Sequence, residues 1–275
     1  MHRLLLTCAL IGFLPFFAAS QTPVQSADSS KLLFSVPVQA VFATADQLSN
    51  VYLVNEDNAL EKYDSTGKRV ARYTNNRLGK ISFADAGNPL KILLWYADFQ
   101  TIVTIDRTLN EIGQLDLTEA GFQNVRSIAQ AQDGNIWIYD DARFRLLKIG
   151  PSGSVVQESQ PMNLVFPKRM TAACIRDNGE TVFISDPVQG ISSFDQYGTL
   201  LRTYPGLKTG WFEVLGDWLV FPENNTIRFE NLARFQNLSL PLPVSASAAE
   251  TKVWVGRSRI FIQTERGLEV YSISP

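Results

Sequence analysis

The sequence is poor in the residues that catalytic and metal sites use most often. Its 275 residues include one histidine and two cysteines, and 25 basic residues stand against 27 acidic ones, for a net charge of −2. Without an excess of basic residues there is no electrostatic reason to expect binding to nucleic acid or to an anionic membrane. With 45% hydrophobic and 19% charged residues, the composition is that of a globular protein.

The N-terminus predicts a signal peptide. A short basic start precedes the apolar run Leu4–Phe17, which is too short to span a bilayer and is followed by small residues. We expect residues 1–20 to be removed, residues 21–30 to form a flexible mature N-terminus, and residues 31–275 to form a single domain. An uncleaved anchor and a lipoprotein cysteine at Cys8 are the alternatives.

Removal of the signal peptide takes away the only histidine and one of the two cysteines. The mature chain keeps a single thiol, Cys174, which we expect in the core, and 24 basic against 27 acidic residues. This excludes a Ser-His-Asp triad, a Cys-His dyad, a metal held by histidines or several cysteines, and an intramolecular disulfide. The expected location is the periplasm, the outer membrane or the outside of a bacterial cell.

One sequence pattern recurs six times along the chain. A small apolar strand and a turn precede a β-branched or aromatic strand, and an acidic or Asn turn then leads to a strand that ends near Asp-Gly. The equivalent positions are Val51, Ile92, Ile136, Val182, Trp218 and Ile260, with spacings of 41, 44, 46, 36 and 42 residues. This period is that of a propeller blade. The sequence therefore predicts an all-β, six-bladed β-propeller with four-stranded blades.

The two ends of the chain predict how the ring closes. The last unit supplies strands at 252–255, 260–262 and 268–273 and lacks a fourth strand. At the other end, the apolar strand 32–36 stands before the first complete unit. We expect this N-terminal strand to join the last blade as its outer strand, because closure removes open sheet edges.

Several segments resemble known propeller repeats. The phrases Asp133–Tyr139, Tyr63–Gly67 and Phe194–Gly198 look like NHL-type and related six-bladed propeller repeats. The segment Asn88–Val103 resembles a recurring segment of secreted bacterial propeller proteins of unknown function. The resemblance covers most of the mature chain and implies the fold, but it assigns no activity.

The loops between the two middle strands of each blade predict a binding face. They open on the same face as the loops that lead to the next blade, and aromatic and Arg side chains there are of the type that anchors protein interfaces. The predicted partner-binding residues are Tyr96, Asp98, Phe99, Asp140, Asp141, Arg143, Phe144 and Asp186. Alternatively, the acids only build turns, and the two phenylalanines fold back over the core.

Two other kinds of site fit the same residue types. Propeller lactonases hold a divalent ion in the channel with oxygen ligands, and a carboxylate can then act as general base on metal-bound water. The acids of suitable type are Glu56, Asp98, Asp140, Asp186 and Glu223, but no Asp-x-Asp-x-Asp-Gly loop is present. The residues suited to carbohydrate binding are Trp95, Trp137, Trp211 and Tyr96.

Taken together, the sequence predicts an exported, non-enzymatic binding propeller that needs no cofactor. The expected partner is another protein of the cell envelope, in an outer-membrane or secretion assembly, with the chain as a monomer or as part of a hetero-complex. No nucleic acid and no membrane-spanning segment after signal cleavage are expected. The alternative is a calcium-dependent, lactonase-like hydrolase with its site in the central channel.

Overall fold

The structure, a computed structural model, describes residues 30–243 and 252–273. The described residues form strands joined by short turns and include two single-turn 3-10 helices, at Ala97–Phe99 and Met162–Leu164. The predicted signal peptide and residues 21–29 lie outside the described residues. Within the described ranges, no helix is long and apolar enough to cross a membrane.

The strands form six four-stranded antiparallel sheets, which are the six blades. The chain starts with strand β1 (Lys31–Val36), and blade 1 then consists of β2 (Ala40–Ala45), β3 (Val51–Asn55), β4 (Ala59–Tyr63) and β5 (Arg69–Thr74). Blade 2 consists of β6 (Phe83–Asp85), β7 (Ile92–Tyr96), β8 (Thr101–Ile105) and β9 (Glu111–Asp116). Blade 3 consists of β10 (Val125–Gln130), β11 (Ile136–Asp140), β12 (Arg145–Ile149) and β13 (Val155–Glu158).

The second half of the ring follows the same order. Blade 4 consists of β14 (Cys174–Asp177), β15 (Val182–Asp186), β16 (Gly190–Phe194) and β17 (Leu200–Tyr204). Blade 5 consists of β18 (Glu213–Leu215), β19 (Trp218–Glu223), β20 (Thr226–Asn231) and β21 (Gln236–Pro241). Blade 6 contains β22 (Val253–Gly256), β23 (Arg259–Thr264) and β24 (Gly267–Ser272). The predicted all-β, six-bladed architecture is confirmed.

The N-terminal strand closes the ring, as the sequence predicts. Strand β1 pairs antiparallel with β24, with Lys31 opposite Ser272 and Val36 opposite Leu268. It is thus the outer strand of blade 6, whose inner strand β22 contacts β2 of blade 1. The first and last blades are therefore joined by the chain that runs from β1 into β2 and by the contact between their inner strands.

Apolar packing between blades explains why the ring is stable. Each of six buried clusters joins two neighbouring blades, and one of them, with Phe261 of blade 6 and Leu53 of blade 1, spans the closure. Every residue of β3, β7, β11 and β15 is buried, because each of these strands has a blade on both sides. Burial of one such large apolar side chain contributes roughly 1.5–3 kcal/mol.

Aspartates fix the turns between the third and fourth strands of several blades. The Oδ1 of Asp64 accepts hydrogen bonds from the backbone N–H groups of Thr66 and Lys68, at 2.9 and 3.1 Å. Asp106 and Asp195 make the same pair of contacts in blades 2 and 4. The recurring aspartates of the sequence pattern therefore build turns, because an Asp side chain replaces backbone partners at such positions.

Candidate ligand pocket at the loop end of the channel

A cavity of about 760 Å³ opens at one end of the central channel. This is the loop end, where the loops between the second and third strands of the blades lie, and we call the other end the turn end. Blades 1, 2, 3, 4 and 6 and the link between blades 4 and 5 contribute to the wall, which includes Phe42, Phe83, Ser127, Arg176, Trp211 and Trp254. Cavities of this size are typical of sites for small organic ligands.

Three aromatic rings form the floor of this pocket. Phe42, Phe83 and Trp211 contact one another edge to face, with ring centroids 5.2–5.6 Å apart. The indole Nε1 of Trp211 donates a hydrogen bond of 3.1 Å to the Val255 carbonyl, which fixes the ring to blade 6. The three rings, called the aromatic floor below, come from blade 1, blade 2 and the link between blades 4 and 5, and they hold one another in place.

A buried arginine lies against the aromatic floor. The guanidinium carbon of Arg176 is 4.3 Å from the Trp211 ring centroid and 5.3 Å from that of Phe83. Its Nε donates to Glu213 at 3.3 Å and its Nη1 to the Ile175 carbonyl at 2.8 Å. Arg176 and Phe83 also line a smaller cavity at the turn end. They therefore stand between the two cavities and block the channel midway.

Two buried donors line the pocket without a partner. Trp95 is 2% exposed and Ser127 6% exposed, and neither the Nε1 of the first nor the Oγ of the second has a hydrogen-bond partner among the described residues. Buried polar groups in folded proteins are nearly always paired, and an unpaired one costs about 1–3 kcal/mol. The pocket wall thus contains two buried donors that no described residue satisfies.

The pocket wall also contains the free thiol of Cys174, which is buried as the sequence predicts. Burial raises the pKa of this thiol to about 11, so that it is neutral near pH 7. A neutral buried thiol behaves as a small apolar side chain.

An ion-pair cluster supports the rim of the pocket. Arg126 lines the pocket, and its Nε donates to Asp141 at 3.0 Å, while the Nη2 of Arg169 donates to the same carboxylate at 2.7 Å. Burial alone would raise the pKa of Asp141, but the hydrogen bonds from Arg169 and Arg126 outweigh it and hold the pKa below its usual range. Asp141 is therefore ionised and positions two arginines at the loop end.

The structure divides the predicted partner-binding residues into two groups. Four of them, Tyr96, Asp140, Asp141 and Asp186, are buried. Asp98, Phe99 and Arg143 are exposed and Phe144 is half-buried, with its ring centroid 5.1 Å from the guanidinium carbon of Arg169. Only Asp98 also lines the pocket. The eight residues thus do not form one continuous surface.

The buried aspartates at the loop end serve their own turns. The Oδ1 of Asp140 accepts from the backbone N–H of Ala142 at 3.0 Å, and that of Asp186 accepts from Val188 at 2.7 Å. The second carboxylate oxygen of Asp186 accepts from the N–H of Thr171 at 2.7 Å. These contacts are the turn chemistry that was the alternative explanation for acids in the loops.

The residues of the calcium alternative are not brought together. Glu56 and Asp98 line the pocket, whereas Asp140 and Asp186 lie in their turns, and Glu223 pairs with Arg228 at 2.9 Å. In the part of the chain that the structure describes, no group of three or more His, Cys, Asp or Glu side chains is placed to hold a metal ion.

The carbohydrate candidates also separate. Trp95 and Trp211 line the pocket, but Trp137 is fully buried, and its Nε1 donates to Asp177 at 3.0 Å. Sequence reasoning missed Phe42, Phe83, Arg176 and Trp254 as pocket residues. The available signal was that large side chains recur in the first strand of several units, which is the strand that faces the channel.

Comparisons with known proteins find similarity in structure alone. The sequence matches no protein-family model and no curated protein. A streptogramin B lyase is similar in structure, with a TM-score of 0.58 and 14% identity over 90% of this chain and 87% of that one. A catalytically inactive histidine-to-alanine variant of virginiamycin B lyase from Staphylococcus aureus, solved with quinupristin, has a TM-score of 0.61 and 12% identity over 90% and 99% of the chains.

Selenomethionine-substituted virginiamycin B lyase from Staphylococcus aureus gives a third match, with a TM-score of 0.55 and 15% identity over 90% of this chain and 88% of that one. The resemblance to six-bladed propellers is thereby confirmed. The prediction of a non-enzymatic protein is contradicted, because the propellers that this chain resembles are lyases. At this identity the likeness establishes the fold alone, and the reaction of those lyases does not transfer to this chain.

Proposed function

We propose that this chain is an exported propeller that binds an organic ligand in the pocket at the loop end of its channel. The observation that carries the proposal is a cavity of about 760 Å³ with an aromatic floor. Export is supported by the apolar run Leu4–Phe17 and the small residues after it.

The pocket has the features of a site formed before its ligand arrives. Its walls are strands of a closed ring, and the aromatic floor is fixed by mutual contacts and by the hydrogen bond of Trp211 to Val255. A rigid apolar surface binds with little loss of conformational entropy. An organic ligand that covers the floor would therefore keep most of its interaction free energy as affinity.

Tryptophan fluorescence and thermal unfolding test this proposal with a set of small aromatic and cyclic compounds. Quinupristin belongs in the set because one of the similar structures was solved with it. Trp254→Ala removes part of the pocket wall, and Trp218→Ala is the control, because Trp218 is also half-buried but packs against Phe229 in blade 5. We expect a loss of affinity of about tenfold or more for the first variant only.

Equal binding by Trp254→Ala and the unchanged protein would contradict the proposal, provided that both variants unfold cooperatively. Mass spectrometry of the compounds after incubation measures any chemical conversion in the same samples. The one histidine of the sequence is His2, so an acid or base in the pocket would come from side chains such as Glu56 or Asp98.

A second candidate function is the binding of another envelope protein on the loop face. It is favoured by three exposed apolar side chains in loops of that face, Phe99 at 53%, Leu164 at 76% and Val188 at 61% exposure. They lie in blades 2 and 4 and in the link between blades 3 and 4. Exposed apolar residues grouped on one face are typical of protein interfaces.

Crosslinking in the cell envelope tests this second function. The double variant Phe99→Ser/Leu164→Ser changes the loop face, and Tyr197→Ser/Phe235→Ser is the control, because these side chains are 72% and 79% exposed in turns at the opposite face. We expect a specific partner to be lost with the first variant and kept with the second. Loss with both, or with neither, would argue against a partner on the loop face.

A further inference from the structure

The two unpartnered donors of the pocket lie on neighbouring blades. Trp95 is in β7 of blade 2, Ser127 is in β10 of blade 3, and these two strands contact each other. The Nε1 of Trp95 and the Oγ of Ser127 are both buried and unpaired within the described ranges. One wall of the pocket, called the donor wall below, therefore combines the two donors.

Two other indoles and one other buried serine of the ring have hydrogen-bond partners. The indole Nε1 of Trp137 donates to Asp177 at 3.0 Å, and that of Trp211 donates to Val255 at 3.1 Å. The hydroxyl of Ser159 donates to the Gln160 carbonyl at 2.9 Å. Other buried hydroxyls also lack a partner among the described residues, those of Ser185, Tyr96 and Tyr139, but these residues do not line the pocket, whereas Trp95 and Ser127 do.

The chemistry of the donor wall selects its ligand. An indole N–H can only donate, so the ligand atom opposite Trp95 has to be an acceptor. The most deeply buried charged side chain that lines the pocket is Arg176, which is positive. An oxygen acceptor can pair with both donors of the wall, whereas an ammonium group could donate to Ser127 but would leave the indole N–H of Trp95 unpaired.

From these observations we infer that the pocket takes an organic ligand with a carbonyl or carboxylate oxygen at the donor wall and a ring on the aromatic floor. The inference rests on the proposed function and adds to it the chemical class and the orientation of the ligand. The unpaired donors supply the selectivity, because a site with buried donors rejects ligands that leave them unpaired.

Three probes of the same size test this orientation: phenylacetate, phenylacetamide and phenethylamine. Binding is followed through the indole N–H signals of the 15N-labelled protein, which has five tryptophans, with the Trp95 signal assigned by Trp95→Phe. We expect phenylacetate and phenylacetamide to shift the signals of both Trp95 and Trp211. Phenethylamine should bind about tenfold more weakly.

A matched pair of serine variants tests the second donor. Ser127→Ala should weaken the binding of phenylacetate about fivefold and bring its affinity closer to that of phenethylamine. Ser159→Ala is the control, because Ser159 is also buried but does not line the pocket. Equal effects of the two variants would contradict a specific role for Ser127.

The outcomes separate this inference from the proposed function. If the Trp211 and Trp254 signals shift and the Trp95 signal does not, the pocket binds but the donor wall does not orient the ligand, and the inference is overturned. Equal affinity for phenylacetate and phenethylamine overturns it as well. If no indole signal shifts with any probe or with the compounds of the fluorescence screen, the proposed function itself fails.

Discussion

The two ends of the channel use the same inner strands in different ways. The loop end has a cavity of about 760 Å³ with an aromatic floor and two unpartnered donors. The cavity at the turn end is only about 110 Å³, and its polar side chains are engaged with one another and with the backbone. Both ends have hydrogen bonds that join blades, but only the loop end has a cavity large enough for an organic ligand.

Hydrogen bonds at the turn end tie separate blades together. The Oδ2 of Asp85 in blade 2 accepts from the N–H of Gln130 in blade 3 at 2.8 Å, and the Nε2 of Gln130 donates to the Lys91 carbonyl at 2.7 Å. The Nη2 of Arg257 in blade 6 donates across the channel to the Gly87 carbonyl at 3.1 Å. Polar groups here have structural partners, which those of the donor wall lack.

The largest effect is expected where the two ends meet. Arg176→Met removes a guanidinium whose side chain is 9% exposed and leaves Glu213, at 12%, without its partner. Loss of one member of a buried pair costs roughly 3–5 kcal/mol. Urea denaturation measures the loss, and the double variant Arg176→Met/Glu213→Gln should recover part of it. A single variant as stable as the unchanged protein would show that this pair does not support the channel.

A smaller loss is expected at the turn end. Asp85→Ala leaves the half-buried N–H of Gln130 without its carboxylate, which should cost about 1 kcal/mol. The exposed loop residue Asp57 gives the control Asp57→Ala, expected within about 0.5 kcal/mol. Ligand affinity at the loop end should stay unchanged in Asp85→Ala, and a parallel loss of affinity would contradict the division between the two ends.

Two buried serines sharpen the comparison further. The Oγ of Ser159 accepts from the Leu146 N–H at 3.0 Å and donates to the Gln160 carbonyl, whereas that of Ser127 has no partner in the described ranges. Ser159→Ala should therefore lower the free energy of unfolding by about 1 kcal/mol or more. Ser127→Ala, in the absence of ligand, should change that free energy by less than about 0.5 kcal/mol or raise it. Chemical denaturation compares them directly, and an equal loss would mean that Ser127 has a structural partner.

The smallest effect is expected for Asp141→Asn, because its partners Arg126 and Arg169 are more than half exposed; the loss of stability is present at neutral pH and shrinks on acidification. The pKa of Asp141 is lowered from 3.8 in the folded protein, so its carboxylate contributes stability above pH 4 that is lost as the pH falls through the folded value. The unfolding midpoint of the unchanged protein should fall more steeply than that of Asp141→Asn in this acidic range. Parallel curves would contradict the role of Arg126 and Arg169 in holding this carboxylate.

The fold was predictable because its information is local and repeated. A spacing of about 40 residues, Asp-Gly-like turns and a missing last strand specify blade, turn and closure without any long-range contact. The turn aspartate Asp64 shows this, because its hydrogen bonds stay within four residues. Such local contacts are recognisable in the sequence as a recurring turn pattern.

The site was less predictable because its residues converge from different blades. Tyr96 was expected at the surface because it ends a strand next to polar residues, yet it is fully buried. Strand β7 is buried on both faces, so the alternation that would separate inward from outward positions is absent. Trp211 was a candidate only for carbohydrate binding and Phe83 was not singled out, because only the closed ring brings the two side chains together beside the channel.

The order in which the chain is synthesised gives the closing strand a special position. Lys31 meets Ser272, a partner 241 residues further along the chain, so the outer strand of blade 6 leaves the ribosome first and pairs last. Until then, the edge of β1, with Leu32 and Leu33, has no sheet to join. Pairings of such long range form slowly, and unpaired strand edges aggregate. The newly made protein is therefore most prone to aggregation before β24 is available to pair with β1.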